Sequence, residues 1–420
     1  MFYASKYLLK ISMVSTVLGL SIPAWAVDLA PDLQLHGFFT AGLAKLSGNQ
    51  GQTYPTNPGG TGTSIIESNV TSKYDSVAGL QLNYRLSDHI DMVLQTYLAA
   101  QDLSQDSRLN QYAVKVNSAY IDYNFNDDWT VRGGRVPLAI YSYSDNLRVS
   151  EAYPWVRLPP EIYSKLGGFF AENGLAVIYK HTFNDDWILR IQPFVGQENL
   201  NSFQIDQIKQ LTASLSNDNL TLHLGSGMAF VNLGRPLVDS LRDTINHALV
   251  GLNYSASDLS QYNATFATMQ THRLRATFSD AGLTYDDGCL FVAGEMSALR
   301  ISGYANDFNA GYASVGYHLG KWLPYIVYAH YKDLNLDEIN QIPAPGNIIY
   351  GKVADVNQYS VSVGARYKIK NNVSLKLQAD RVSGFGGNYM SGLFLPAPSS
   401  TTPSTLRSVY IYSVSVSTAF

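Results

Sequence analysis

Apolar and polar side chains alternate at every second position in several segments of the chain. In the clearest segment, Tyr410–Phe420, tyrosine, valine, threonine and phenylalanine alternate with serine and alanine. Segments 80–85, 121–125 and 359–369 show the same period. Because successive side chains of a strand point to opposite faces, this pattern predicts strands with one apolar and one polar face. Segments of about ten residues suit tilted strands that cross a lipid bilayer.

The connections between these segments are of two kinds. Short polar turns are predicted at 87–88, 126–128, 184–186, 320–321 and 370–372, and long segments rich in Gly, Pro, Ser and Asn at 47–64, 137–168, 332–355 and 383–407. Short turns at one end and long loops at the other are typical of outer-membrane barrels, whereas soluble sandwiches do not sort their connections in this way. The sequence therefore predicts an all-β fold, a transmembrane antiparallel β-barrel over residues 27–420. We count 16 strands, with 18 as the alternative, because the pattern blurs between 197 and 258.

Composition excludes several other classes. Only 15% of the 420 residues are charged, against roughly 25% in soluble domains, and 46% are hydrophobic. After residue 26 no apolar run reaches the roughly 20 residues of a spanning helix, which excludes a helical membrane protein. The net charge of −4 gives no support for a nucleic-acid partner.

The N-terminus predicts export. Residues 1–26 combine two lysines, an apolar stretch and an Ala-Trp-Ala ending, the features of a secretory signal peptide. The mature chain then holds one cysteine, Cys289, so no internal disulfide is possible. Since Cys289 follows a turn at 286–288, we expect a structural residue without redox chemistry.

Alternation also predicts which charged side chains face the lumen. Strand parity places eight basic and four acidic side chains on the inner wall: Arg85, Arg132, Arg190, Arg273, Arg275, Arg366, Lys368, Lys376, Asp91, Asp122, Glu295 and Asp380. A Lys or Arg on the lipid face costs about 2–4 kcal/mol at mid-membrane, which accounts for the inward direction but not for the positive bias. Rings of charge set the ion selectivity of pores, so we expect a weak preference for anions. Arg135 breaks this parity unless Gly133 and Gly134 form a bulge.

One motif occurs twice. Phe-Asn-Asp-Asp-Trp stands at 125–129 and again at 183–187, and an arginine follows each tryptophan by three positions. These are the positions of Arg132 and Arg190. Equal spacing from equivalent turns predicts that the two arginines lie at one height, roughly 10 Å apart across one intervening strand.

No catalytic, metal or cofactor motif is recognisable. The eight histidines are scattered without zinc-binding spacing, and no nucleophile elbow, phosphate-binding loop or dinucleotide fingerprint occurs. We therefore predict no cofactor, no metal site and no enzymatic activity.

Segment 137–168 is the most distinctive part of the chain. It carries four prolines and many aromatic residues without any period, which favours an ordered loop. Since it follows the fifth strand, it would be the third long loop. Folded inward, it would narrow the lumen and place five charged side chains in or near the constriction: Asp145, Arg148, Glu151, Arg157 and Glu161. An external cap or a subunit-contact loop is the alternative.

The motif Gly134-Arg-x-Pro-Leu138, followed by Tyr153-Pro-Trp-x-Arg-x-Pro-Pro-Glu-x-Tyr163, resembles the third-loop region of Gram-negative outer-membrane porins. The signal peptide and the terminal Phe420 extend the resemblance over essentially the whole chain. It implies a homotrimeric, water-filled channel for small hydrophilic solutes, in contact with outer-membrane lipid and lipopolysaccharide. It also implies that Phe420 presents the last strand to the barrel-assembly machinery. The acidic Pro-Glu-Phe-Gly-Gly loop of enterobacterial porins is missing, so their constriction charges are not carried over.

Two functions follow from these features. A passive diffusion porin of the outer membrane, weakly biased toward anions, is the first. A channel selective for phosphate or small organic anions is the alternative, and a dense ladder of basic residues along one face would favour it.

Overall fold

The computed structural model describes residues 27–47, 70–72, 75–99, 113–163, 171–183, 186–200, 203–234, 253–267, 270–303, 307–334, 357–384 and 408–420, and isolated positions between 239 and 250. The predicted signal peptide and most of the long connections lie outside the described residues. Within them, seventeen strands form one sheet. The strands are β1 (Val27–Ala30), β2 (Leu33–Ser47), β3 (Val77–Ser87), β4 (Ile90–Ala99), β5 (Ala113–Asn124), β6 (Trp129–Pro137), β7 (Ala171–Phe183), β8 (Trp187–Leu200), β9 (Phe203–Ser216), β10 (Leu220–Leu233), β11 (Leu274–Asp286), β12 (Leu290–Ile301), β13 (Asp307–Tyr317), β14 (Trp322–Leu334), β15 (Asn357–Lys370), β16 (Val373–Ser383) and β17 (Ser408–Ala419).

Strands β2 to β17 form a closed antiparallel barrel. Each strand pairs with its neighbours in sequence, and β17 pairs with β2 from Tyr410↔Ser47 to Ala419↔Phe38. The short β1 pairs with the start of β2, beyond the point where β17 ends. The predicted fold and the count of 16 strands are therefore confirmed, with β1 as a short addition.

Polar side chains build the tight turns at one end of the barrel, which we call the turn end. At 217–220 the Asn217 Oδ1 accepts hydrogen bonds from the amides of Asn219 and Leu220. At 286–290 the Asp287 Oδ1 accepts hydrogen bonds from the amides of Leu290 and Cys289, and these bonds lower the pKa of the Asp287 carboxyl. Gly288 has a φ of +79°, a conformation that favours glycine. We call the opposite end the loop end.

A bulge in β9 contributes to the blurring of the sequence pattern after residue 197. The register shifts between Gly196 and Glu198 where β8 meets β9, and between Met228 and Phe230 where β10 meets β9. Both shifts fall on the same part of β9, near Gln207, where one extra residue interrupts the two-residue period. In addition, β8 and β9 form a tight hairpin, with Leu200 opposite Phe203, at an end where long loops were expected.

The two faces of the barrel differ in chemistry as predicted. On β15 and β16 the outward residues include Val363 and Leu377, 52% and 44% exposed, whereas the alternate inward residues Ser374 and Lys376 are buried. Outward aromatic rings cluster near the turn end, where Trp129 and Tyr179 lie 4.8 Å apart. Aromatic side chains at such a level are typical of a membrane interface.

Residues 138–163, which we call the inner loop, follow β6 and lie inside the barrel. The loop contains short 3-10 turns at Ser144–Asn146 and Ser150–Ala152 and a helical turn, α1 (Pro160–Tyr163). Its aromatic side chains pack on inward residues of the wall, and Trp155 is fully buried against Phe291 and Tyr312. The core of the molecule is therefore the contact between this loop and the inner wall.

Near the loop end lies a second helix, α2 (Ala256–Ala267). Ser255 and Asp258 form a capping box at its start, in which the Ser255 Oγ accepts from the Asp258 amide and Asp258 accepts from the Ser255 amide. No helix among the described residues is long and apolar enough to cross a membrane.

Candidate functional site: the lumen and its inner loop

Arg157 ties the middle of the inner loop to the wall. Its guanidinium donates two hydrogen bonds to the Asp75 carboxylate, at 3.0 and 2.8 Å, and one to Asp380 at 2.6 Å. The Ser413 hydroxyl accepts a fourth at 2.5 Å. All three charged side chains are 2–3% exposed. A buried guanidinium between two carboxylates fixes the position of the loop. Loss of any one of the three groups would leave a buried charge without a partner.

Lys376 on β16 holds the preceding part of the loop. Its ammonium is fully buried and donates to the carbonyl oxygens of Ser150, Tyr153 and Trp155. Next to it, the Glu151 carboxylate accepts hydrogen bonds from the hydroxyls of Ser374 and Ser417. Lys376 therefore supplies the hydrogen-bond donors that water would otherwise have to provide for the carbonyl groups of the bent loop.

Two buried glutamates fix the ends of the loop. Glu295 on β12 accepts from the Ser142 amide at 2.6 Å and from the Tyr163 hydroxyl. Glu161 accepts from the Gln358 amide group at 2.8 Å. Burial is the main cause that raises the pKa of the Glu161 carboxyl above its ordinary value, against the opposing effect of this hydrogen bond.

A group of charged side chains lies where the inner loop faces β5, β6 and β8, and part of this group is accessible from the lumen. Asp122 and Arg132 form a bidentate ion pair at 2.7 and 2.8 Å, and the Arg132 guanidinium lies 4.0 Å from the centre of the Tyr120 ring. Asp145 of the loop lies 3.7 Å from Arg190, and these two side chains are 50% and 34% exposed. We call these five residues the lumen cluster.

A small cavity adjoins the lumen cluster. It has a volume of about 110 Å³ and is lined by Asp145, Arg190, His223, Tyr141 and hydroxyl side chains of β9 and β10. The His223 ring lies 3.4 Å from the Ile140 carbonyl oxygen, which also fixes the start of the loop. Its walls carry both signs of charge, so the cavity is polar but not specific for one sign.

Arg148 supports the loop on its other side. Its guanidinium stacks 3.6 Å from the centre of the Tyr97 ring and donates to the Tyr97 hydroxyl at 2.9 Å. The loop thus contacts β4 and β8 as well as β11 to β17, which places it across the lumen.

The structure places most of the predicted wall residues on the inner face. The cross-strand pairs show this, because paired residues share a face. Residues on the inner face are Arg85, Asp122, Arg132, Arg190, Glu295, Arg366, Lys368 and Lys376. The loop covers Glu295 and Lys376 completely, whereas Arg85 is 68% exposed beside Asp91.

The predictions for Arg273 and Arg275 are wrong. On β11 the inward residues are even-numbered, since Asp280 and Gly282 pair with Ser297 and Glu295. Arg275 therefore faces outward, and Arg273 precedes the strand with its guanidinium over the Phe230 ring. The strand begins after a long connection whose turn geometry the sequence does not reveal, so the sequence alone does not determine which positions of β11 face inward.

Two of the five charged residues of the inner loop do not face the lumen, contrary to expectation. Asp145 is exposed and Arg148 and Glu151 are half-buried, but Arg157 and Glu161 are 4% and 0% exposed between loop and wall. They hold the loop in place and do not face the lumen, because the carboxylates and amides of the wall offer them partners.

Arg135 is accommodated without a shift of register. The ladders with β5 and β7 run regularly through Gly133 and Gly134, although Gly134 has a φ of +132°. The Arg135 guanidinium donates to the Glu198 carboxylate at 2.8 Å. Local distortion and an ion pair therefore replace the expected bulge.

The repeated motif gives a different spacing from the one predicted. Arg132 pairs with Ala176 and Arg190 with Lys180, so the two arginines are offset by four positions along β7. Strand rise and spacing then separate their Cα atoms by roughly 16 Å. Asp145 bridges part of this gap from the loop side.

Three residues in or beside the lumen were not predicted from the sequence. Asp75 precedes β3, where no pattern identified it as a partner of Arg157. Tyr120 and Lys180 share the inward parity of Asp122 and Arg190, so strand parity could have found them. No group of three or more potential metal ligands occurs among the described residues.

Comparisons with known proteins bear on the fold. No family model matches the chain, and no curated protein matches it by sequence. Solved structures do match. OmpF of Salmonella typhi in complex with daunomycin aligns with a TM-score of 0.55 at 13% identity, over 92% of this chain and 97% of that one. An anion-selective porin from Comamonas acidovorans aligns with a TM-score of 0.52 at 11% identity, over 92% and 99%. OmpT, an outer-membrane protein of Vibrio cholerae, aligns with a TM-score of 0.53 at 12% identity, over 93% and 99%.

These likenesses define the class of fold. The chain is a closed 16-stranded antiparallel β-barrel of the outer-membrane type, with an apolar outer surface and a loop inside its lumen. At this level of identity the comparisons show the fold alone.

Proposed function

We propose that the chain is an outer-membrane porin, a water-filled channel for passive diffusion of small hydrophilic solutes and ions. The observation that carries this proposal is the unequal cover of the inner wall. The inner loop buries most inward side chains of β12 to β17, among them Glu295 and Lys376, whereas Arg85, Asp91, Asp145 and Arg190 keep between 34% and 68% of their side-chain surface exposed. Charged side chains left exposed along one side of a lumen favour an aqueous path there.

In this proposal the inner loop is the constriction and the lumen cluster is its narrowest charged part. Exposed or half-buried basic side chains outnumber acidic ones along the proposed path. The basic residues are Arg85, Lys115, Arg132, Arg148, Lys180, Arg190, Arg366 and Lys368, and the acidic ones are Asp91, Asp145 and Glu151, whereas Asp122 is buried beside Arg132. Since rings of charge set selectivity, a weak preference for anions follows. Pairing of Arg132 with Asp122 keeps this preference small.

A channel selective for phosphate or small organic anions is the second candidate. The cavity beside Arg190 favours it, because a saturable site needs an enclosed polar space. The Asp145 carboxylate in the same cavity opposes a dedicated anion site. Neither candidate assigns catalysis to any residue.

The test is single-channel conductance of the purified protein in planar bilayers, with the reversal potential measured in a salt gradient. Large, non-saturating steps with a small anion-favouring potential are expected. Saturation of conductance with one anion would favour the selective channel. Absence of steps from a folded, inserted barrel would contradict both.

We also propose a trimer, with the outer face of β3 to β6 as the subunit contact. These strands are 9 to 12 residues long, and the described outward side chains of β3, β4 and β5 carry no charge. A groove of about 660 Å³ lies there, lined by Leu82, Tyr84, Met92, Leu94 and Ile121 and floored by Gly133. Because this lining is apolar, the apolar outer face of a second copy can fill the groove. One solved structure of the Vibrio cholerae OmpT, aligned with a TM-score of 0.50 at 13% identity, is described as a trimer form.

The trimer proposal predicts a mass of three chains in mild detergent by light scattering. Leu82→Glu with Leu94→Glu, which places charges in the groove, should give monomers that still fold. A trimer that survives this double substitution would contradict the proposed contact.

A further inference from the structure

Four carboxamide side chains form a continuous chain of hydrogen bonds on the inner wall of β3, β4 and β5. The Asn117 amide group donates to the Gln95 oxygen at 2.5 Å, and the Gln95 amide group donates to the Gln81 oxygen at 2.9 Å. Gln81 in turn donates to the Asn83 oxygen at 2.9 Å. We call these four residues the amide ladder.

The strand register explains why these side chains share one face. Gln81 and Gln95 are directly opposite each other, and Asn83 follows Gln81 by two positions. Asn117 is an extra residue of β5, at a bulge opposite Gln95 and Thr96. Because a bulge re-aims the side chain that it inserts, Asn117 reaches Gln95 and joins the inner wall.

The amide ladder lies on the side of the lumen that the inner loop leaves open. All four of its residues are half-buried, whereas the inward glutamines beneath the loop, Gln358 and Gln378, are 0% and 8% exposed. Toward the turn end, β3 and β4 continue with Arg85 and Asp91, which belong to the proposed aqueous path. A solute on that path therefore passes the amide ladder.

Each carboxamide of the ladder keeps hydrogen-bonding capacity toward the lumen. A carboxamide has two N–H donors and an oxygen that can accept twice. The two central residues, Gln81 and Gln95, each use one N–H and one lone pair within the ladder. One donor and one acceptor therefore remain side by side on each. Since a hydroxyl both donates and accepts, two adjacent hydroxyls of one solute can bind such an amide group as a pair.

The charges near the ladder do not favour an ion there. Toward the turn end, Arg85 pairs with Asp91 and Arg132 pairs with Asp122. Lys115 lies on the loop-end side, and among the described residues no charged side chain makes a hydrogen bond to the ladder. An ion would exchange its water for carboxamides of which only one end suits its sign, whereas a neutral hydroxyl can use both ends.

An apolar strip borders the ladder toward the turn end. Val93 is opposite Asn83 on one side and Tyr120 on the other, and both Val93 and Tyr120 are half-buried inward residues. Because neighbouring strands are about 4.8 Å apart, a six-membered sugar ring can span two of them. Its hydroxyls can then meet the ladder while its C–H groups lie against this strip.

We infer that the amide ladder binds neutral polyhydroxylated solutes, such as monosaccharides, during their passage through the lumen. This inference rests on the proposed channel function and names the class of solute that the channel retains. Each hydrogen bond of a neutral group at a site open to water strengthens binding by only about fivefold. Binding is therefore weak enough to allow release.

The test is the flux of labelled D-glucose into lipid vesicles that contain the purified protein, measured over a range of concentrations together with the ion conductance of the same preparation. Glucose flux should saturate at millimolar concentrations. Triethylene glycol, a neutral solute of similar size whose hydroxyls are not adjacent, should enter without saturation.

Gln95→Met interrupts the ladder at its centre and should raise the half-saturating glucose concentration about tenfold. Gln210→Met removes another half-buried inward glutamine, on β9, and is the matched control, which should leave that concentration unchanged. Gln81→Met removes the neighbouring carboxamide and should act as Gln95→Met does, so it replaces that variant if the latter fails to fold.

A linear glucose flux through a conducting channel would overturn the inference and leave the porin proposal standing. Loss of both flux and conductance from a folded, inserted barrel would overturn both. Saturation by triethylene glycol as well would also overturn the inference, because recognition would then not depend on adjacent hydroxyls. An equal shift in the Gln210 variant would do the same, because the ladder would then not be the site.

Discussion

Arg157 of the inner loop and Asp380 of β16 form an ion pair 2.6 Å long in which both side chains are almost fully buried. They are 223 positions apart in the chain. Together with Asp75, this pair decides where the loop lies in the lumen, and therefore what cross-section remains open.

Replacing Arg157 by Met should release the loop. Two carboxylates, those of Asp75 and Asp380, would be left buried without a cation, which costs about 3–5 kcal/mol. We expect a lower denaturant midpoint in lipid vesicles and larger, noisier single-channel steps. Arg85→Met is the control for the denaturant midpoint, since Arg85 is 68% exposed and its pair with Asp91 contributes little to stability. Unchanged conductance in the Arg157 variant would remove the loop from the constriction.

Asp122 and Arg190 should act on selectivity in opposite directions. Asp122→Asn frees the positive charge of Arg132 and should increase the preference for anions. Arg190→Gln removes a one-third exposed charge and should shift the reversal potential toward cations. Arg132→Gln frees the negative charge of Asp122 and should therefore also shift the reversal potential toward cations. The reversal potential in a tenfold salt gradient measures all three variants, and shifts of the same sign for Asp122→Asn and Arg190→Gln would contradict the assignment.

Glu161 should make stability depend on pH. Burial raises its pKa in the folded protein, so between its unfolded and folded pKa values the folded state binds more protons. Stability is then greatest below the unfolded pKa, near 4, and falls as the pH rises through the folded value. Glu161→Gln keeps an acceptor for Gln358 and should be more stable than the unsubstituted protein at pH 8, with little difference at pH 4. Denaturant midpoints at the two values measure this, and an equal change at both would show that the carboxyl does not titrate there.

Gly37 makes room for the terminal side chain. The Phe420 ring covers the position where a Cβ at residue 37 would lie, and the backbones of the two residues exchange hydrogen bonds of 2.8 Å. Gly37→Val should therefore displace the ring and slow folding into lipid vesicles, as followed by the heat-dependent gel shift of folded barrels. Gly288→Asn is a control in open space at the turn end, where asparagine tolerates positive φ. Folding of Gly37→Val at the normal rate would show that the ring position is not needed.

Sequence by itself determined the wall of this protein. A strand between lipid and water must alternate apolar and polar side chains. A two-residue period therefore predicts the barrel, its 16 strands and the inward direction of Arg132, Arg190 and Lys376. Errors arose where that period is interrupted, as at Arg275 after a long connection.

Only the tertiary structure decided which charges line the lumen and which hold the loop. Arg157, Glu161 and Asp145 stand in one segment and look alike in sequence, yet two are buried and one is exposed. Their environments depend on where the loop crosses the barrel, and hence on partners such as Asp75, 82 positions from Arg157. Such long-range pairing has no local pattern, because it follows from how a non-repetitive loop packs on a wall that other strands supply.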